Sequence, residues 1–279
     1  MSLADKAMIV TLNVSCWTAR KQDKKVSAEV EQAHNARDAG RYNKLLIDKA
    51  HLDPLTSKAG AIRQEHYKRT LPWLDNGGRM LPTKLFMDYR KSMGQLKTEY
   101  IALVDAFIPK YDSYLVADAR LRLGTMYDPT DYPPGAELRD KFSVDLDFTP
   151  VPQGSDFRAE IEDSERVRIA EEIEERRVRR MQDAMKDAWA RVHRVVSTIY
   201  ARTSADKPVI HDSLIENAKE LVQLLPGLNL MDDPQLEAIT RDITNNLLVE
   251  TWKLRKSAST RRAIAKASQD ILSRIPIAG

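Results

Sequence analysis

Side chains that could do catalytic or metal chemistry occur in this sequence, but their spacing does not build a reactive site. Asp145 and Asp147 alternate with apolar residues, which is typical of the exposed face of a strand rather than of a pair of metal ligands. Serine, histidine and aspartate occur without a nucleophile-elbow signature. No HExxH array is present, and the five histidines are too far apart for a local metal motif: His34, His51, His66, His193 and His211. We therefore predict a non-enzymatic protein without a metal or a cofactor.

Basic residues beside a tryptophan form a stronger chemical signal near the C-terminus. Between Thr251 and Arg274 there are seven basic residues and one acidic residue, Asp270. Cations can follow a phosphate backbone and an aromatic ring can stack on a base, although the same residues could instead solvate a terminal helix or contact an acidic helix. The predicted nucleic-acid-binding residues of this C-terminal basic cluster are Trp252, Lys253, Arg255, Lys256, Arg261, Arg262 and Lys266.

A second group of this kind lies near the N-terminus. There too an aromatic residue neighbours several cations, although Asp23 and Glu29 dilute the positive charge. The predicted nucleic-acid-binding residues of this N-terminal basic cluster are Trp17, Arg20, Lys21, Lys24 and Lys25.

Composition restricts the class of protein. With 30% charged and 42% hydrophobic residues, the chain is too apolar for a disordered protein and too charged for a membrane protein. The start, Met1 to Lys6, lacks a signal-peptide layout, and the single cysteine, Cys16, is expected to be a small buried residue. The net charge of +3 is too small to indicate nucleic acid by itself. We predict a cytoplasmic protein with no membrane partner.

Two short segments have strand patterns. Residues 8–17 form an apolar, β-branched run, and residues 142–148 alternate between apolar and polar side chains. We expect these two strands to pair into a small two-stranded β element packed on helices. Asn76, Gly77 and Gly78 are interpreted as a turn before a helix that begins near Pro82.

The first long helix carries a heptad seam. Its apolar positions are spaced alternately by three and four residues: Phe86, Tyr89, Met93, Leu96, Tyr100, Leu103 and Phe107. Beyond Pro109 the same phase continues through Tyr111, Tyr114 and Leu121 as far as Gly124. This pattern predicts a kinked helix or two abutting helices.

A second long helix is predicted from Ser155 or Asp156 to about Arg202. Its seam has the same length and spacing: Val178, Met181, Met185, Ala188, Val192, Val195 and Ile199. The simplest arrangement is an antiparallel coiled-coil-like pair of the two seams, and the alternative is pairing with a second copy of the chain. Glu171 and Glu174 occupy the seam further upstream, so tight packing should stop there.

After Pro208 the chain has the pattern of a helical C-terminal unit. One helix begins near Ser213, another near Asp233 and extends as far as Leu254, and a last short helix covers about residues 260–273. We predict a mainly α fold, an elongated helical bundle, with residues 1–206 as the body and residues 207–279 as the C-terminal unit.

Short motifs in the first half of the chain carry a resemblance. An apolar strand leads into Cys16-Trp17-Thr18-Ala19-Arg20-Lys21, and Trp73-Leu74 precede Gly77-Gly78 and Leu81-Pro82. In these residues the sequence resembles a family of bacterial and tailed-phage proteins that carries only a domain-of-unknown-function label. The resemblance implies a phage or bacterial setting and a non-enzymatic role beside phage replication or remodelling proteins. It transfers no catalytic residues.

Two functions from different classes follow. The first is a phage-type protein in the bacterial host cytoplasm that binds nucleic acid, single-stranded DNA in preference to duplex, and self-assembles through its helical seams. The second is a protein adaptor or structural assembly component that binds only protein partners through the seams and the acidic arm, residues 160–175 at the start of the second long helix. The two differ in salt dependence, because phosphate binding weakens steeply as salt rises.

Overall fold

The computed structural model describes residues 3–74, 77–154 and 162–276. It is mainly helical, as the sequence predicts. The chain forms two compact units, each described by itself below. The long-helix unit comprises Met1–Thr11, Tyr67–Tyr89 and Asp147–Gly279, and the π-turn unit comprises Leu12–His66 and Arg90–Leu146. Residues 207–279 belong to the same unit as the long helix. The boundary predicted after residue 206 therefore does not coincide with a boundary between the two units.

The helices and strands are as follows. The helices are α1 Leu3–Lys6, α2 Lys24–Ala33, α3 Asp53–Arg69, α4 Phe86–Lys110, α5 Val116–Leu123, α6 Gly135–Arg139, α7 Asp163–Thr203, α8 Ser213–Leu228, α9 Pro234–Asn246, α10 Thr251–Lys256 and α11 Ala258–Arg274. The strands are β1 Ala7–Ser15, β2 Arg20–Gln22, β3 Asn43–Leu45, β4 Leu71–Pro72, β5 Gly78–Pro82 and β6 Ser143–Pro150. A π-helical turn, Tyr111–Leu115, joins α4 to α5.

The β structure is larger than predicted. Strands β1 and β6 are neighbours, as expected, but the sheet has four strands in the order β4-β5-β1-β6, and β2 and β3 form a separate two-stranded sheet. The prediction of a single two-stranded element is therefore wrong. The segment predicted as a turn at Gly77 and Gly78 also begins a strand. Gly78–Pro82 pairs antiparallel with Ala7–Thr11 and buries Met80 and Leu81. Helix α4 then begins at Phe86, after a single 3₁₀ turn.

Helix α4 and its continuation follow the first predicted seam as far as Tyr111, two residues beyond Pro109. Tyr89, Met93, Tyr100 and Phe107 are buried, as the spacing predicts. Because Pro109 cannot donate a backbone hydrogen bond, the ladder is interrupted, and the π turn that follows contains more residues than an α-helical turn. The buried positions after it are therefore Tyr111, Leu115 and Ala119, whereas the predicted seam residues Tyr114 and Leu121 are exposed.

The seam of α7 is filled from within the long-helix unit. Its predicted residues Met185, Ala188, Val192 and Ile199 are buried, and the helix packs chiefly against α11 and α8. The predicted antiparallel pairing of this seam with residues 86–107 is therefore not what covers it. Apolar side chains at heptad spacing fit many apolar partners, so the spacing could not select between α4 and the C-terminal helices.

The N-terminal half of α7 lacks such packing. The first buried residue along the helix is Ala184, and the predicted seam residue Val178 is exposed. Tight packing therefore begins six residues further along the helix than the sequence predicts. The helix begins at Asp163, and the predicted start at Ser155 or Asp156 lies outside the described residues. Glu172 and Arg176, four residues apart, form an ion pair at 3.4 Å on an exposed surface.

Arg191 anchors the middle of α7 to the end of α3. Its guanidinium donates to the backbone carbonyls of Tyr67, Lys68 and Thr70 at 2.6 to 2.9 Å, and its Nε donates to Asp187 at 2.8 Å. The last carbonyls of a helix have no partner within that helix, so an arginine placed there satisfies several of them at once. This contact fixes α7 against the segment that leads into β4.

Candidate functional site

Helix α10 is a short amphipathic element held by one apolar residue and one arginine. Leu254 is buried, while Arg255 donates from Nε to the Ile210 carbonyl at 2.9 Å and from Nη2 to Asp212 at 2.8 Å. The Thr251 hydroxyl also donates to Asp212. The hydrogen bond from Thr251, followed by the nearby Arg255 guanidinium, holds the pKa of Asp212 below its ordinary value. Leu254 and Arg255 therefore position the helix and leave its other face free for solvent.

Trp252 lies on that solvent face. Its side chain is 53% exposed. The Nζ atoms of Lys253 and Lys256 lie 5.6 and 5.9 Å from the centre of its ring, within the range of cation–π attraction. An exposed flat ring can stack on a base while the nearby ammonium groups meet the flanking phosphates.

The sequence predicts a single helix that continues through Leu254, and this prediction is wrong. Helix α9 ends at Asn246, and α10 starts afresh at Thr251. The break gives Trp252 an orientation independent of α9. The start of α9 is confirmed, because Asp233 caps it by accepting from the Gln235 amide at 2.9 Å.

Helix α11 continues the basic surface. Ser257 caps its first turn by accepting from the Thr260 amide at 3.1 Å. Arg261 donates from Nη1 to the Leu254 carbonyl at 2.8 Å and so ties α11 to the end of α10. Arg262 and Lys266 are exposed one turn apart on α11, and neither makes an ion pair with a residue that the structure describes.

A groove of about 450 Å³ runs between the start of α11 and the end of α7. One wall contains Arg261, Arg262 and Lys266, and Tyr200 is on the opposite wall. The residues from α7 and Gln269 are not among those predicted from the sequence. No local signal could have identified them, because about sixty residues separate the two walls along the chain.

The N-terminal basic cluster lies in the π-turn unit and has a different environment. Trp17 is only 9% exposed, and its ring packs edge-on against Tyr111 at 5.7 Å. The expectation that Trp17 offers a ring to a base does not fit this placement, because the ring is part of the core. The Nζ of Lys21 lies 3.7 Å from Asp131, while Arg20, Lys24 and Lys25 are exposed on β2 and α2.

A lysine that was not predicted organises this region. Lys44 is 6% exposed, and its Nζ lies 2.8 Å from Asp131 and 2.7 Å from the Met126 carbonyl. Asp131 is therefore shared between Lys44 and Lys21, which leaves less positive charge at this surface than the sequence indicates. The alternation of strand β3 is the available signal, since it places Lys44 on the covered face between Asn43 and Leu45.

The described residues contain no group of three or more histidine, cysteine, aspartate or glutamate side chains that could hold a metal ion. Asp145 and Asp147 are on the exposed side of β6, as the alternation predicts. Burial raises the pKa of the Cys16 thiol, an environment that does not favour a reactive thiolate. Among the described helices, none is long and apolar enough to cross a membrane.

No protein-family model, curated protein or solved structure matches the chain. The resemblance to bacterial and tailed-phage proteins therefore stays a prediction from the short motifs.

Proposed function

We propose that this protein is a non-enzymatic nucleic-acid-binding protein, with a preference for single strands, and that its binding surface is formed by α10 and α11. The observation that carries the proposal is the exposed Trp252 ring with two lysine ammonium groups beside it. The Trp252 surface consists of Trp252, Lys253, Lys256, Arg262 and Lys266.

The preference for single strands comes from Trp252. A ring can stack only on a base whose face is free, and bases within a duplex already stack on each other. Arg262 and Lys266 line the groove beside α7 and supply further cations for successive phosphates. The groove is open, as a path for a continuous strand has to be.

Two arginines of the predicted cluster are better assigned to holding the surface together. Arg255 is bound to Asp212 and the Ile210 carbonyl, and Arg261 is bound to the Leu254 carbonyl. Replacing either of them would disturb α10 and confuse loss of binding with loss of structure. The test therefore keeps both.

The experiment is fluorescence anisotropy with labelled single- and double-stranded oligonucleotides of equal length across a salt series. In the quadruple variant K253Q/K256Q/R262Q/K266Q we expect single-strand affinity at low salt to fall about a hundredfold and the slope of log K against log salt to lessen by about 3. W252A should lose about tenfold with little change in that slope, because stacking is not ionic.

The matched control is K91Q/K97Q/R120Q/K141Q, which removes the same number of positive charges from exposed positions of the π-turn unit. It should retain most of the affinity. An equal loss in both quadruple variants would show that only net charge matters, and absence of binding by the unchanged protein at low salt would refute the proposal.

The exposed half of α7 favours a second candidate function, that of a protein adaptor. Val167 and Val178 are 55% and 52% exposed on this highly charged helix. Charging Met185 or Val192 cannot test this idea, because both are buried and the variants would unfold. V167E/V178E is the appropriate change: an adaptor or self-assembling protein loses its partner or its oligomeric mass by light scattering, whereas nucleic-acid binding at the Trp252 surface is unaffected.

A further inference from the structure

A second, smaller pocket in the long-helix unit has its own cluster of positive charge. Its volume is about 160 Å³, below the roughly 300 Å³ at which pockets for drug-sized ligands begin. Its lining consists of Trp73, Pro152, Ile173, Arg176, Arg177 and Arg180. None of these residues lines the groove between α7 and α11.

Arg180 has unused hydrogen-bonding capacity. Its guanidinium carbon lies 5.2 Å from the centre of the Trp73 ring. It makes no hydrogen bond or ion pair with any residue that the structure describes. A guanidinium held over an aromatic ring is fixed in orientation by that contact and keeps five N–H donors available.

Trp73, which lines the same pocket, carries a second donor of this kind. The side chain is 5% exposed, and its buried Nε1–H has no acceptor within the described parts of the chain. Proteins rarely leave a buried N–H unpaired, so such a group requires an explanation. Arg180 and Trp73 thus place two donors, neither with an acceptor among the described residues, on side chains in contact with each other.

The two neighbouring arginines are engaged by glutamates. Arg177 donates from Nε to Glu174 at 2.7 Å, and Arg176 approaches Glu172 at 3.4 Å. The amide of Gly154 donates to Glu174 at 3.1 Å; this hydrogen bond, followed by that from Arg177, holds the pKa of Glu174 below its ordinary value. Two of the three guanidinium groups that line the pocket are therefore paired with carboxylates, and the remaining positive charge belongs to Arg180.

We propose that this pocket binds an oxyanion, a phosphate or a carboxylate group, with Arg180 as its principal ligand beside the wall formed by Trp73. A guanidinium matches both groups through two parallel hydrogen bonds. This site is separate from the Trp252 surface and does not rest on the proposed nucleic-acid function.

The test follows the indole N–H resonances of the ¹⁵N-labelled full chain, which has four tryptophans, assigned through bonds so that no tryptophan has to be replaced. Inorganic phosphate and acetate are titrated separately, with sodium chloride at matched ionic strength as the reference. We expect the Trp73 indole resonance to shift and saturate with at least one of the two oxyanions. The anion that binds more tightly identifies the preferred group.

R180Q should raise the half-saturating concentration about tenfold, because a charged hydrogen-bonding partner is lost. R179Q is the matched control: Arg179 is exposed on the next position of the same helix and does not line the pocket. Both variants should keep the helix content of the unchanged protein by circular dichroism. Equal shifts with chloride, or equal titrations in R180Q and R179Q, would overturn the assignment. A shift confined to Trp252 would place anion binding at the Trp252 surface instead.

Discussion

The tryptophans of the two basic clusters lie in opposite environments. Trp17 packs against Tyr111 inside the π-turn unit, whereas Trp252 is half exposed with lysines beside its ring. The difference arises from their neighbours. Trp17 follows an apolar strand, and its own ring contributes to the core, but α10 already has Leu254 to bury. A tryptophan among cations therefore indicates a binding surface only when another residue of its element supplies the buried contact.

Alanine replacements of the two tryptophans should show the largest difference, measured as the loss of unfolding free energy. W17A removes a buried aromatic ring and is expected to cost about 3 to 5 kcal/mol of unfolding free energy. W252A should change stability by less than about 0.5 kcal/mol, because its ring is not part of the core. Urea denaturation followed by circular dichroism measures both, and similar losses in the two variants would contradict the comparison.

The buried and exposed lysines of the N-terminal region should also differ in their contribution to stability. K44M leaves the buried Asp131 carboxylate with only the more distant Lys21 as a cationic partner and also removes the cation beside Asp23, and is expected to cost about 3 kcal/mol. K25M, at an exposed position of α2, is the control and should be nearly neutral. If K44M proves as mild as K25M in the same denaturation experiment, Lys44 does not organise the region.

Alkaline pH should act on the unit that contains Trp17. Burial raises the pKa of Tyr100 and Tyr111 and raises that of Tyr132 to about 12, and all three belong to the π-turn unit. Their uncharged forms stabilise the folded state fully below the ordinary value of 10, and this contribution is lost as pH rises towards 12. Ultraviolet titration of tyrosinate should show that these three tyrosines ionise only when the protein unfolds, at a higher pH than ordinary tyrosines. Ordinary titration of every tyrosine would refute this.

The smallest effect is expected at the anchor of α10. D212N removes the carboxylate that binds Thr251 and Arg255, and should speed amide hydrogen exchange across residues 251–256 without changing global unfolding. Acid should mimic it: because the folded-state pKa of Asp212 is lowered, its contribution is present above pH 3.8 and is lost as pH falls further. Unchanged exchange in D212N would show that Leu254 alone holds α10.

Elements with a long, regular apolar pattern could be predicted from the sequence. The end of α7 near Arg202, strands β1 and β6 and the buried positions Met185 and Val192 all follow from periodicity. The partners of α7 could not be predicted, since its seam fits any apolar face. Strand β5 was missed because five residues between a glycine and a helix start carry too little pattern.

The candidate site was predictable in location but not in the roles of its residues. The cluster at residues 252–266 is visible as composition. Arg255 and Arg261 bind backbone carbonyls, whereas Lys253 and Lys256 remain beside Trp252. This division depends on the position of the backbone at residues 210 and 254, which the sequence does not specify. The pocket at Arg180 brings α7 together with Trp73 and Pro152, and no local spacing encodes that approach.

The π turn at Tyr111–Leu115 amounts to one additional residue that the helix accommodates in place. Deleting Ser113 should convert this turn into ordinary α-helix while Leu115 and Ala119 keep their buried sides. A deletion one turn later, at Ala117, would instead rotate Ala119 by about 100° out of the core. Chain length is therefore adjustable by one residue here, and a homologue without the π turn should align with a single gap between Lys110 and Leu115.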